Sequence, residues 1–319
     1  MTHQQASLLM VAVIAARSIA YVFSKTLLGE VGPFDAMLLR FSCAFMILAL
    51  LFRKRLLVAD SATITRGAGL GVLLAALMVL EMHALRVCDT LVVSFLENSA
   101  VVFVPLVAAA LFKVRLNGQV IACAGVALGG IALLTIAGGA TIGAGDVYAL
   151  AAAVLYSLFI VLSGRFAKDS DPIVLGISQM GAGAIACLAA TCAFDVPQLP
   201  ATMTGWGCLA VLVLVCSVFG FAFQPVAQRR ISEVQAGMTC ALNPAFASVV
   251  GVIALGETLS WAGVTGAALV LGALVASTWA SHRESGGRES RAKKHLRNCP
   301  PMHRQTACQK RRINLRRIR

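Results

Sequence analysis

The chain has 319 residues, of which 59% are hydrophobic and 13% charged, with a mean hydropathy of +0.84. Soluble domains hold roughly 45–50% apolar and about 25% charged residues, so a water-soluble globule is excluded and the solvent for most of the chain is lipid. The net charge of +13 belongs mostly to one end: residues 283–319 carry thirteen Lys or Arg and two acids, a net of +11, which leaves +2 for residues 1–282.

Apolar runs of about 20 residues, the length that crosses a ~30 Å hydrocarbon core, fall near 7–28, 34–52, 66–86, 89–112, 117–138, 146–165, 172–194, 204–224, 232–254 and 260–280. Ten spanning helices are predicted. A transmembrane β-barrel requires strands of about ten residues with alternating polarity, and no segment shows them. The fold class is therefore an all-α integral membrane protein.

Basic residues in the loops orient such a bundle, because Lys and Arg are retained on the cytoplasmic side. With both termini inside, the inner loops collect Arg53, Lys54, Arg55, Arg66, Lys113, Arg115, Arg165, Lys168, Arg229 and Arg230, and the outer loops only Lys25 and Arg86. An odd number of spans would destroy this ten-to-two bias by alternating the side of successive loops.

The second half repeats the first. An offset of 143 residues places Lys25 on Lys168, Ala84 on Ala227, Arg86 on Arg229, Phe103 on Phe246, Leu116 on Leu259 and Gly129 on Gly272. A unit of five spans is odd, so its second copy enters the bilayer inverted, and inverted repeats are a signature of secondary transporters. The expected organisation is a first five-helix repeat over 1–140, a second over 141–281, and a basic tail over 282–319. With Pro300, Pro301 and few large apolar residues, the tail lacks the means to build a core and is expected to be disordered. Anionic lipid headgroups or RNA suit its charge, and so does a plain solvated extension. No specific nucleic-acid partner is assigned.

Eight of the ten cysteines (Cys43, Cys88, Cys123, Cys187, Cys192, Cys208, Cys216, Cys240) lie in or at the ends of predicted helices and none forms CxxC, so they read as small hydrophobes, with no metal site and no cofactor expected. No Lys or Arg occurs in the first 16 residues and no cleavage site follows, so the first helix is expected to stay in place.

Ser18 to Lys25 with Tyr21, then Pro33 and Leu39-Arg40-Phe41, resembles the first two helices of the drug/metabolite transporter (DMT) superfamily, in particular its EamA-type members. Leu242-Asn243-Pro244, followed by Gly256-Glu257-Thr258-Leu259-Ser260 and a glycine-bearing last helix, is similar to the most recognisable segment of that family. The resemblance implies ten helices, exchange between inward-open and outward-open states, a central cavity lined by the first, third, fourth, sixth, eighth and ninth helices, and export as the usual direction. Two departures stand out: Arg17 occupies a position where the family usually has Trp, and Val114 stands where the second repeat has Glu257.

Polar residues inside a bilayer are costly and face a cavity or a partner. Arg17, ten residues into the first helix, and Asn243, eleven into the ninth, both reach ~15 Å, near the midplane. Arg40 and Glu97 enter from the outer side to matching depths of ~9–12 Å. An Arg40–Glu97 ion pair is expected from that match, serving either as a permanent lock or as a site where Glu97 exchanges a proton or a substrate cation. Arg17 is suited to a substrate carboxylate or phosphate, and equally to an internal bond with Glu97 or a helix carbonyl. Glu81 and His83 are expected at the outer rim, as gate residues. Tyr21, Asn98, Gln179, Gln224, Gln235 and Asn243 supply uncharged hydrogen-bonding groups for substrate or for helix association. Pro105 and Pro244 are expected to kink the fourth and ninth helices, while Gly125-x-x-x-Gly129 and Ala268-x-x-x-Gly272 mark close-packed scaffold helices.

No Gly-x-x-x-x-Gly-Lys-Ser/Thr loop is present, so drive by ATP within this chain is not expected. The functional expectation is a secondary transporter of small organic metabolites or drugs in an inner membrane, driven by a proton or other ion gradient or working by simple facilitated exchange; a homodimer is left open. The alternatives are an intramembrane lipid-modifying enzyme, for which Glu81-x-His83 alone is a thin catalytic set, and a scaffold or sensor that moves no solute.

Overall fold

The structure is a computed structural model that describes residues 2–112, 118–137, 143–194 and 196–231, together with Thr239, Asn243 and a few isolated positions from 261 to 276. Among the described residues every regular element is helical. Seven helices are long and apolar enough to cross a membrane: α1 (Gln4–Leu27), α2 (Pro33–Leu51), α3 (Ser61–Val87), α4 (Val92–Leu111), and, after an intervening α5 (Gly118–Ala137), α6 (Ala144–Asp169), α7 (Pro172–Phe194) and α8 (Met203–Gln228). These eight elements coincide with the first eight predicted spans. The predicted spans 232–254 and 260–280, Gln235, Pro244 and the tail lie largely or wholly outside the described residues.

Local chemistry sets the helix starts. Thr2 and Gln5 exchange side-chain-to-backbone bonds at the head of α1 (2.8 and 3.3 Å). Proline opens α2 after Gly32. Asp60 accepts from the Thr63 amide (3.0 Å) and Thr202 from the Gly205 amide (3.0 Å), capping α3 and α8. Large apolar side chains such as Leu50, Leu51, Ile185, Phe194 and Trp206 are exposed on the bundle exterior, as lipid-facing residues must be.

Three spans are irregular. In α1 the helix breaks at Ile19, between His3–Ser18 and Ala20–Leu27. In α4 it breaks at Ser99, ahead of a helical segment that contains Pro105. In α8 the ten residues Leu212–Phe221 form wide π turns just ahead of Pro225. Pro225 lacks the N–H that an α-helix would direct at the Phe221 carbonyl; Gln179 Nε2 of α7 donates to that carbonyl instead (2.9 Å).

Packing links the two halves by exchange. α3 packs chiefly on α6 and α7, while α8 packs on α1 and α2, so the third helix of each repeat is seated on the first two helices of the other. Lys25, at the end of α1, reaches the Cys88 carbonyl (3.3 Å) and Asp89 (3.5 Å), and Gly145, at the start of α6, lies against the Cys88 side chain. The end of α1 and the start of α6 thus share one face of the bundle, and the first helices of the two repeats run in opposite senses. The α3–α7 seam is close: a Cβ on Gly67 would lie 2.5 Å from the Ser178 Cβ, and one on Gly71 2.3 Å from the Gln179 carbonyl oxygen.

That same face is tied by Glu30, whose carboxylate accepts from the Ala201 and Thr202 amides (both 3.0 Å) and from the Thr202 hydroxyl. Asp35 accepts from the Gln198 amide (3.3 Å), and Phe34 stacks on Phe194 at 5.9 Å. The opposite face carries an Arg55–Asp171 ion pair (3.5 Å) and an Arg66–Ser170 bond (3.0 Å).

Candidate functional site

The breaks in α1, α4 and α8 surround a set of buried polar side chains. Arg17, at 5% exposure, donates Nη1 to the Tyr156 hydroxyl (2.5 Å) and to Gln224 Oε1 (3.1 Å). Its guanidinium lies 3.9 Å from the Phe221 ring centroid and 4.9 Å from that of Tyr156. Such cation–π seating contributes about 0.5–2 kcal/mol and substitutes for water around the charge. Gly220 makes room for it, since a Cβ there would come within 2.8 Å of Arg17 Cγ.

A second group gathers around Tyr21. Its hydroxyl donates to Glu97 Oε2 (3.0 Å) and accepts from Asn98 Nδ2 (3.1 Å). Asn243 Nδ2 donates to Asn98 Oδ1 (3.0 Å) and approaches the Tyr21 oxygen (3.5 Å). Asn98 also returns Nδ2 to the Ser94 carbonyl (2.7 Å). The Glu81 carboxyl lies beside that of Glu97, both of them buried. Asn243, Asn98, Tyr21, Glu97 and Glu81 therefore form one continuous polar chain, every member of it buried.

The structure revises two expectations from sequence. Arg40 does not pair with Glu97. It is 0% exposed, donates Nε to Ser217 Oγ of α8 (2.6 Å) and sits 5.8 Å from the Phe221 centroid, while its Nη1 and Nη2 have no hydrogen-bond partner. Matching depth fixed the height of both groups but not their azimuth, and Arg40 faces α8. Glu81 is not a rim residue: it is 4% exposed and joins Glu97 in the interior. His83 lies apart from the polar chain, with Nδ1 2.8 Å from the Val79 carbonyl and its ring 5.6 Å from both Phe34 and Tyr148. Gln179 is placed between α7 and α8 by its bond to Phe221.

Tyr156, Ser217, Phe221 and Pro225 were not among the residues singled out from sequence. An aromatic or a serine in an apolar run carries no signal without knowledge of which helix it faces, whereas Pro225, inside a predicted span like Pro105, was there to be read. Among the described residues, no three His, Cys, Asp or Glu side chains gather as a metal site would require.

The arrangement is that of a hydrophobic bundle with an inner column of cations, carboxyls and amides supplied by α1, α2, α3, α4, α7 and α8 and by Asn243. Such a column has the means to hold a polar solute and to retain or release a proton.

Comparison with known proteins agrees with this architecture. Twenty-nine chains of solved structures match. One, a crystal structure described only as that of a protein, superposes with a TM-score of 0.65 at 22% identity, over 88% of this chain and 98% of its own length, and it supports the fold alone. No curated protein matches the chain. The model of the EamA-like transporter family matches twice in tandem, over residues 4–136 and 143–279, so the chain belongs to the EamA-like transporter family of the DMT superfamily.

Proposed function

We propose that the protein is a secondary transporter that exports small organic metabolites or drugs across a bacterial-type inner membrane by alternating access, with both termini in the cytoplasm. The observation that carries this reading is the buried column from Asn243 through Tyr21 to Glu97 and Glu81, enclosed by helices whose outer faces are apolar. Polar groups are held at such depth, at a cost, where a solute or proton passes.

Family membership gives the cycle its form: two repeats of opposite sense rock about the site they share. In this scheme Glu97, with Glu81, carries the coupling proton. The Tyr21 hydroxyl, donating to Glu97, senses which protonation state is present and conveys it through Asn98 to Asn243. The breaks at Ile19 and Ser99 are where α1 and α4 bend.

The test is solute flux in proteoliposomes containing the full chain, with a mixed pool of amino acids, nucleobases and organic acids, with and without a pH gradient. The trapped pool is read by mass spectrometry. Accumulation that follows the gradient, and loses that dependence in Glu97→Gln, is expected. Flux indifferent to the gradient removes the proton role from Glu97, and no flux from a folded protein removes the transport reading in favour of a scaffold.

A further inference from the structure

Among the described residues, Arg40 is the one charged group in the site whose main hydrogen-bonding edge is empty. Nε is anchored by Ser217 Oγ at 2.6 Å, which fixes the plane of the guanidinium, while Nη1 and Nη2 are buried without partners. A guanidinium presents its N–H groups as a rigid fork, and leaving that edge unsatisfied inside a bilayer is unfavourable. Two further orphan groups border the same stretch of α8: Gln224 Nε2, a donor, and Gln179 Oε1, an acceptor. Arg40 and Arg17 both lie over Phe221, Gln179 bonds its carbonyl, and Gln224 bonds Arg17, so all four line the stretch from Ser217 to Gln224.

Among the described residues, the charged side chains that share the interior with Arg40 are Arg17, Glu81 and Glu97, and α7, which packs against α2 and α8, contributes none.

We infer that the transported solute carries a carboxylate that docks on the Nη1/Nη2 edge of Arg40, with Ser217 holding the guanidinium in register and Gln224 and Gln179 bracketing the rest of the solute. The inference rests on the transport reading and narrows it to small carboxylates. A carboxylate matches the planar fork with two parallel charge-assisted bonds, which a neutral amide, with a single acceptor oxygen, does not. Arg17, already engaged with Tyr156, Gln224 and two aromatic faces, sets the positive potential of the site and leaves the docking to Arg40.

The test uses the full chain in proteoliposomes with a pool of lactate, glycerate and alanine, the matching amides lactamide, glyceramide and alaninamide, and inorganic phosphate. Thermal stabilisation of the detergent-solubilised protein by the same compounds is measured in parallel. At least one carboxylate is expected to be carried at least tenfold faster than its amide. Arg40→Gln is expected to abolish that preference, and Arg40→Lys, which keeps the charge and loses the fork, to weaken it. Should Arg40→Gln fail to fold, Ser217→Ala carries the test, with a raised KM for the carboxylate and an unchanged maximal rate. Equal handling of acids and amides, preference for phosphate, or a preference that survives Arg40→Gln overturns the inference while the transport reading stands. Stabilisation by carboxylates without flux supports the site and defeats the transport reading, and neither flux nor stabilisation defeats both.

Discussion

Two glycines of α3, two residues apart and so on different faces of the helix, should respond to the same substitution in opposite ways. At Gly71 an added Cβ would lie 2.3 Å from the Gln179 carbonyl oxygen and 2.9 Å from the Ala182 Cβ, whereas at Gly69 nothing lies within 4 Å. Ordinary contact begins at 3.4 Å, so Gly71→Ala must drive α3 and α7 apart by about 1 Å (3.4 − 2.3). The obstructing atoms are backbone and a Cβ, and no rotamer change relieves them. Overpacking of this kind costs about 1–3 kcal/mol, against a gain of about 1 kcal/mol from replacing glycine in a helix. Gly69→Ala collects the gain alone. The variants should therefore differ by about 1–3 kcal/mol, with Gly71→Ala below the parent and Gly69→Ala at or above it. Thermal unfolding of the detergent-solubilised protein, followed by gel filtration of the surviving fraction, reads the difference. Because the seam joins the two repeats, flux should fall with Gly71→Ala as well. Equal unfolding temperatures for the two variants would refute the account of the seam as a backbone-to-backbone contact.

Gln179→Leu removes the donor at the Phe221 carbonyl, at a cost of about 1–3 kcal/mol; adding Pro225→Ala restores a backbone N–H and should recover part of it, which paired melting curves will show. Tyr21→Phe deletes the hydroxyl that joins Glu97 to Asn98, and is expected to cost about 1–3 kcal/mol and to uncouple flux from the pH gradient, as measured in proteoliposomes. The Glu30 carboxyl titrates below its ordinary 4.5, first because the Thr202 hydroxyl bonds the charged form and then because backbone amides do. A depressed folded-state value means that the tie between the first hairpin and the head of α8 is fully present above about pH 4.5 and is lost as pH falls through the lower folded value. Hydrogen exchange of residues 201–205 should reveal acid-dependent opening, and Glu30→Gln should show the opened behaviour at neutral pH.

Hydropathy was enough to locate the spans, because the requirement it reports is imposed by lipid on each segment separately. The predicted 34–52 and 172–194 match α2 (Pro33–Leu51) and α7 (Pro172–Phe194) almost residue for residue, since proline marks both starts. Depth was also legible: Arg17, Tyr21, Glu97, Asn98 and Asn243 all belong to the buried site. Azimuth was not. Whether Arg40 meets Glu97 on α4 or Ser217 on α8 depends on how helices of opposite repeats are rotated against each other, and that rotation is fixed by contacts such as Gly181 of α7 against Phe45 of α2, where a Cβ would come within 2.9 Å of the Phe45 ring. Glu81 was misplaced for a related reason. Its nearness to the end of α3 suggested a rim, but α3 is the longest span at 27 residues and its terminal turns extend past the site.

The exchange of third helices bears on how the protein is made. A ribosome delivers the first repeat to the membrane complete, yet the surfaces that α3 is shaped to meet, Leu175, Ser178 and Gln179 of α7 among them, have not been synthesised at that point. Until they arrive, the glycine-lined face of α3 is left to lipid or to insertion chaperones, and the nascent half has no native structure to fold into by itself. Quality control in the membrane must then tolerate a half-built protein for the duration of α6 and α7 synthesis. A stop codon between the repeats should yield a fragment that inserts, fails to pack and is degraded, and supplying the second repeat as a separate chain should rescue it.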